Sequence, residues 1–167
     1  MDALETMTTR RVARSFSRRA VDDGAIGRIV DAGRHAMSAR NLQPWRFIVV
    51  RDAERLREIG ALCTTGRFVA EAPSAVVVLK DRANTRWAEV DCAQAVQNMA
   101  NAGWAIGLGT CWVGNFDADK LAAMLSVPEG WGVFTVLPFG YPDEANPPQV
   151  RPLKPRRETV YRERWGG

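Results

Sequence analysis

The run Ala75-Val76-Val77-Val78-Leu79 is apolar without interruption, and it constrains the fold more than any other stretch of the chain. A strand with no polar alternation is buried on both faces, so it reads as a central strand of a sheet. Two more strands are expected at 46–50 and at 133–139, where Pro138 stands near the end. Helical spacing is expected at 3–7, at 24–35 behind the capping pair Asp22-Asp23, at 52–63 and at 117–125. The longest helix is expected over 87–106. Val90, Ala93, Ala95, Val96, Met99, Ala100, Ala102, Gly103 and Ala105 make it small and apolar on more than one face. Such a helix belongs at the centre of a domain or at a subunit interface. Gly107-Leu108-Gly109 stops it, and glycines after a helix more often cap it than cradle phosphate. A Rossmann fingerprint needs a strand before the glycines and a helix after them, so the order here excludes that mode of nicotinamide binding.

At 167 residues the chain is long enough for one domain with a sizeable core, spanning 1–167, and it shows no repeat and no linker. From about 143 to 167 the sequence is rich in proline and charge and reads as an extended C-terminal segment. Cys63, Cys92 and Cys111 form no CxxC pair, and with a single histidine they offer neither a disulfide scaffold nor a zinc site. A reducing, cytoplasmic setting is the simplest expectation. No secretory h-region follows Asp2 and Glu5, and no run reaches the length of a membrane span, so no membrane partner is expected.

The charge is uneven. The net value is +4, and residues 10–19 hold five arginines and no acid, while Arg151, Lys154, Arg156, Arg157, Arg162 and Arg164 crowd the other end. The plain reading of each run is solvated surface charge. The sharper one is an anion site. Arginine fills every basic position of the first run, which suits bidentate phosphate recognition, and Val12 and Phe16 alternate with the charges as partly buried residues would. Both ends then converge on one phosphate. Far from either end, the loop Ser38-Ala39-Arg40-Asn41-Leu42-Gln43-Pro44 presents two amides just before a strand. Amides both donate and accept, and they suit the edge of a planar heterocycle. Nucleic acid ranks lower as a partner, since most aromatics sit in apolar segments instead of a basic stripe. No serine or cysteine nucleophile with a partner acid is evident, which excludes a hydrolytic triad. His35 suits either acid–base chemistry or the favourable last turn of a helix. Cys111 reads as a reactive thiol or, more simply, as a small buried hydrophobe.

Four pieces in order carry a resemblance that covers nearly the whole chain: Arg10-Arg11-x-x-Arg14-x-Phe16; Ser38-x-x-Asn41-x-Gln43-Pro44-Trp45-x-Phe47; Asp91 through Gln97-Asn98-Met99 to Gly107-Leu108-Gly109-Thr110-Cys111-Trp112-Val113-Gly114; and Lys154-Pro155-Arg156-Arg157. On these the chain resembles the FMN-dependent nitroreductase family in its short form. The resemblance implies an α+β fold with a mainly antiparallel central sheet flanked by helices, assembled as an intertwined homodimer with two FMN sites at the interface. It implies that Arg10, Arg11, Arg14, Lys154 and Arg156 hold the FMN phosphate. Ser38, Asn41 and Gln43 of the other subunit reach the flavin ring and ribityl chain, and Cys111, Trp112, Val113 and Gly114 line one face of the ring. The family's usual serine after the two arginines is Val12 here, which leaves its backbone N–H to serve the phosphate. The expected activity is NAD(P)H oxidoreduction, NADH or NADPH reducing the flavin before a nitroaromatic, quinone or similar electron-poor acceptor reoxidises it in ping-pong order. No protein side chain is needed as catalyst. A flavin-binding storage or sensing protein is the alternative.

Overall fold

The computed structural model describes residues 1–84 and 86–166. Strands β1 (Trp45–Val50), β2 (Ser74–Asp81), β3 (Gly109–Thr110) and β4 (Trp131–Gly140) form one antiparallel sheet in the order β1-β2-β4-β3. The apolar run lies in β2, an inner strand, and its first six residues are buried. Trp45 pairs with Lys80 and Val50 with Ala75, while Ser74 pairs with Phe139 and Asp81 with Trp131. The register slips once, between Val78 and Leu79, so that Phe134 is the extra residue of a bulge in β4.

Helices α1 (Ala3–Thr9), α2 (Asp23–Arg34), α3 (Ala53–Leu62), α4 (Ala88–Ala105) and α5 (Ala118–Met124) make this an α+β fold. Alternate residues of the strands feed two cores. Trp45, Val76, Val78, Leu137 and Phe139 pack with α2 and α4 on one face. Val50, Val77, Leu79, Val133 and Val136 pack with α3 and α5 on the other. The helix starts follow local chemistry. Asp2, Asp22, Asp52 and Asp117 each accept a backbone N–H three residues on, which satisfies an otherwise orphaned donor. At the end of α4, Leu108 N–H reaches Gly103 O (2.8 Å) and Gly107 N–H reaches Trp104 O (3.0 Å), with Gly107 at φ 84°. That pair of bonds is a Schellman cap, so the glycines terminate the helix.

Two details differ from the sequence expectations. Val12 is exposed and Ala13 is buried in its place. Ala13 N–H donates to Thr110 O (3.0 Å), and the Ala13 methyl occupies the space that a Cβ on Gly109 would need, which turns the Val12 side chain outward. The second is a 3-10 helix, Arg67–Glu71, ahead of Glu71-Ala72-Pro73, which reads in sequence as a turn. It exists through tertiary packing. A Cβ on Gly60 of α3 would come within 2.9 Å of the Ala70 backbone nitrogen, so the two elements touch through backbone.

Gly60→Ala is therefore expected to lower stability by about 1–3 kcal/mol through overpacking, against a helix-propensity gain of about 1 kcal/mol. The denaturant midpoint of the variant measures this, and an unchanged or raised midpoint would show that the contact yields freely.

Candidate functional site

The arginine segment is fixed at one end of the molecule by its backbone. Arg10 N–H closes α1 on Thr6 O (3.0 Å), and Trp104 of α4 donates its indole N–H to Thr9 Oγ1 (3.0 Å). Val12 then bridges Thr110 in parallel, and Phe16 bridges Pro142. The bonds of the first bridge use the neighbours of Val12. Among the described residues the Val12 N–H makes no hydrogen bond. Arg11 turns back on its own chain, donating from Nη1 to Thr9 O (2.6 Å). Ser15 Oγ donates to Asp143 Oδ2 (3.0 Å), which ties the segment to the start of the C-terminal stretch. Bonds from Asn146, Ala145 N–H and Ser15 hold the Asp143 carboxyl below its usual range.

Beside this segment lies an open cleft of about 290 Å³, lined by Arg14, Thr65, Gly66, Phe68 and the four residues Cys111, Trp112, Val113 and Gly114. The wall 111–114 extends β3 along β4: Cys111 N–H points to Pro138 O (3.4 Å), and Val113 and Val136 exchange backbone bonds (2.9 and 3.2 Å). Thr135 Oγ1 donates to Val113 O (2.8 Å). The bulged Phe134 meets the edge of Trp112 at 5.3 Å between centroids. Gly66 is required on the facing wall, because a Cβ there would sit 2.3 Å from Val113 Cγ1. Thr65, Gly66 and Phe68 were not candidates from sequence; Gly66 in a polar helix exit was their one signal.

Cys111 is buried at the cleft floor, and burial pushes its thiol up while the charges of Arg14 and Arg151 pull it down; burial wins. This places Arg151 of the tail near the cleft. Lys154 and Arg156 are exposed, and among the described residues neither side chain makes a hydrogen bond or ion pair. The tail cation whose charge acts on Cys111 is thus one that sequence reasoning did not single out. Burial also raises Cys63 to about 11 and, with the Asp91 charge adding, Cys92 to about 12. All three thiols are free. His35 caps α2, its Nδ1 2.8 Å from Asp31 O, with its ring exposed and far in sequence from the cleft residues.

The amide loop lies elsewhere. Ser38 Oγ accepts Gln43 N–H (3.1 Å), and Gln43 Nε2 donates to Asn41 Oδ1 (3.1 Å). Arg40, Asn41 and Gln43 all have positive φ (54°, 56° and 48°). For residues other than glycine this left-handed region costs about 1–2 kcal/mol each, with asparagine the most tolerant. The loop is bonded to α4 through Asp91, whereas the arginine segment is bonded to Trp104 of the same helix. At 1.5 Å per residue those two anchors stand about 20 Å apart along the axis. Within one chain, then, Arg14 and Cys111–Gly114 are brought together, and Ser38, Asn41 and Gln43 are held at the opposite end of the sheet.

The donor set fits a flavin mononucleotide. Guanidinium groups and a free N–H suit its phosphate, and an open cleft between Phe68 and Trp112 suits a planar ring. The residues supply no metal site: among those described, no group of three or more His, Cys, Asp or Glu side chains gathers. Nor is any described helix long and apolar enough to cross a membrane.

Comparison with known proteins agrees with this geometry. A family model described as the nitroreductase family matches residues 7–66 and 63–141. A protein of Archaeoglobus fulgidus, provisionally named NADH dehydrogenase/NAD(P)H nitroreductase, is 32% identical over 98% of this chain and 99% of its own length. The FMN reductase (NADPH) of Bacillus subtilis is 26% identical, covering 97% of this chain and 73% of that protein. Among solved structures, an FMN-dependent nitroreductase from Clostridium difficile superposes with a TM-score of 0.88 over 97% of this chain and 99% of that one; at 24% identity this speaks to the fold.

Because all three thiols are buried and none is shifted toward the thiolate, labelling by a thiol-reactive disulfide at neutral pH is expected to be far slower in the native protein than in denaturant, where three thiols react. Rapid native labelling of Cys111 would contradict that account.

Proposed function

The chain belongs to the nitroreductase family, and from that premise we propose that it is an FMN-dependent NAD(P)H oxidoreductase, active as a homodimer on nitroaromatics, quinones or similar electron-poor acceptors. The observation that carries the reading is the cleft that Arg14 lines together with Cys111–Gly114, walled by Trp112 and Phe68. When bound, FMN would supply two-electron hydride chemistry between a nicotinamide and the acceptor, in ping-pong order.

The protein's part is to hold, orient and shield. Arg10, Arg11, Arg14 and Arg151 supply positive charge for the phosphate, with Lys154 and Arg156 on the same tail, and the free Val12 N–H adds a neutral donor. Cys111, Trp112, Val113 and Gly114 form a wall whose backbone is already committed to β4, so the wall is rigid before any ligand arrives. Trp112 is 44% exposed, which leaves that wall open to a visiting molecule. Among the described residues, those that line the cleft include no carboxylate or imidazole.

The homodimer follows from the division of labour between the two ends. Ser38, Asn41 and Gln43 are held about 20 Å along α4 from the arginine end, too far to serve the same bound molecule in one chain. A two-fold arrangement brings the loop of one copy to the arginine end of the other and makes two equivalent sites. Exposed apolar side chains on α1, α4 and the tail, among them Leu4, Val90, Leu153 and Trp165, give such an assembly surface to bury.

Purified protein is expected to be yellow, to bleach anaerobically with NADH or NADPH, and to recolour with a quinone or nitroaromatic. Bound flavin that neither nicotinamide reduces would sink the enzymatic reading. Arg14→Ala and Arg10→Ala are each expected to weaken FMN retention about 10-fold or more, the usual worth of a charge-assisted bond. An unchanged flavin-to-protein ratio after dialysis would remove the phosphate role.

A further inference from the structure

Among the described residues Asp91 is the only acid that is buried, and the chemistry proposed above makes no use of it. It lies in the first turn of α4 with 2% of its surface exposed. It makes no salt bridge among the described residues, since nearby Lys80 pairs with Glu89 instead. Both of its carboxylate oxygens face one donor, Ala39 N–H, at 3.3 and 3.1 Å. A carboxylate withdrawn from water for a single backbone bond is costly to keep, so what that bond holds is informative.

The bond holds the first residue of the strained loop. Arg40, Asn41 and Gln43 follow directly, all with positive φ. The other end of the loop is gripped by the same corner of the molecule: Pro44 O accepts Asp81 N–H (2.9 Å) and faces the Cys92 thiol (3.7 Å). Between the two grips, residues 40–43 are exposed, and their internal bonds run from Gln43 to Ser38 and Asn41. Strained backbone persists where its surroundings over-determine it, and here the surroundings are Asp91 on one side and the Pro44 carbonyl contacts on the other.

We propose that Asp91 is a positioning residue that locks the 38–43 loop in its left-handed conformation and thereby presents Asn41 and Gln43 to the flavin held by the partner subunit. The proposal rests on the FMN-binding reading given above. Asp91 touches no ligand; it acts through Ala39 and the loop.

The test uses the full-length protein with Asp91→Ala, Asp91→Asn and Asn41→Ala/Gln43→Ala, singly and combined. Asparagine retains an oxygen to accept Ala39 N–H, so Asp91→Asn is expected to stay within about threefold of wild type while Asp91→Ala weakens FMN binding about tenfold. Amide exchange over 38–43 is expected to quicken in Asp91→Ala and not in Asp91→Asn. Asp91→Ala is further expected to cost nothing extra in the Asn41→Ala/Gln43→Ala background, because residues that act through one another are not additive. Unchanged exchange in Asp91→Ala, or a loss of FMN affinity that simply adds to that of the amide variants, would overturn the proposal. A wild-type protein that takes up no FMN would instead sink the cofactor reading, and the exchange arm would still uphold or overturn the holding role.

Discussion

The structure depends on α4. It is the longest described helix, and its buried stripe runs from Ala88 through Asp91, Cys92, Ala95, Val96 and Met99 to Gly103. It packs on α2 where Gly33 leaves room for Met99: a Cβ on Gly33 would lie 2.4 Å from Met99 Cε. A helix packed this tightly cannot slide, so whatever is bonded to its ends is fixed in relative position. At the N-terminal end Asp91 holds Ala39, and at the C-terminal end Trp104 holds Thr9 and the Schellman cap starts the chain toward Thr110. The amides and the arginines are thereby assigned to opposite ends before any ligand is considered.

The arginine end shows how charge and burial are balanced. Positive side chains gather where the chain is extended, because an extended segment bridged to a sheet edge at Val12 and Phe16 can turn its side chains outward and still satisfy its backbone. Arg14 lines the cleft beside Cys111, whose thiol burial pushes up against the pull of the Arg14 and Arg151 charges. Two cations beside a neutral sulfur are not neutralised by it. Their positive field faces the cleft, where an anion is the complementary occupant.

Regular elements were legible in the sequence wherever one local signal governed them. The continuous apolar run marked the inner strand, and the acidic pair Asp22-Asp23 marked the start of α2, with the limits of α4 off by one residue at each end. What stayed hidden depended on contacts between distant segments. The Arg67–Glu71 turn exists because α3 presses on it through Gly60. Phe68 lines the cleft because that turn is there. Val12 followed the pattern of its neighbours in sequence, but the alignment of Ala13 with Thr110 decided which side chain went inward. Arg151 was one cation among six near the terminus, and only the fold distinguishes it by bringing it to Cys111.

The tail makes the same point about energetics. Val150, Leu153, Val160 and Trp165 alternate with basic residues, and Leu153 is 93% exposed. Apolar surface in contact with water costs roughly 25 cal/mol per Å², so a segment of this composition gains order only when something covers it. Its bond to the rest of the chain, Asp143 to Ser15, starts it at the arginine end. Suppose that in the proposed dimer the copy that donates the amide loop also covers the tail. Burial of the tail and completion of the site are then one event, and the free energy of association contributes to ligand retention through ordinary linkage, with the ligand stabilising the assembly in return.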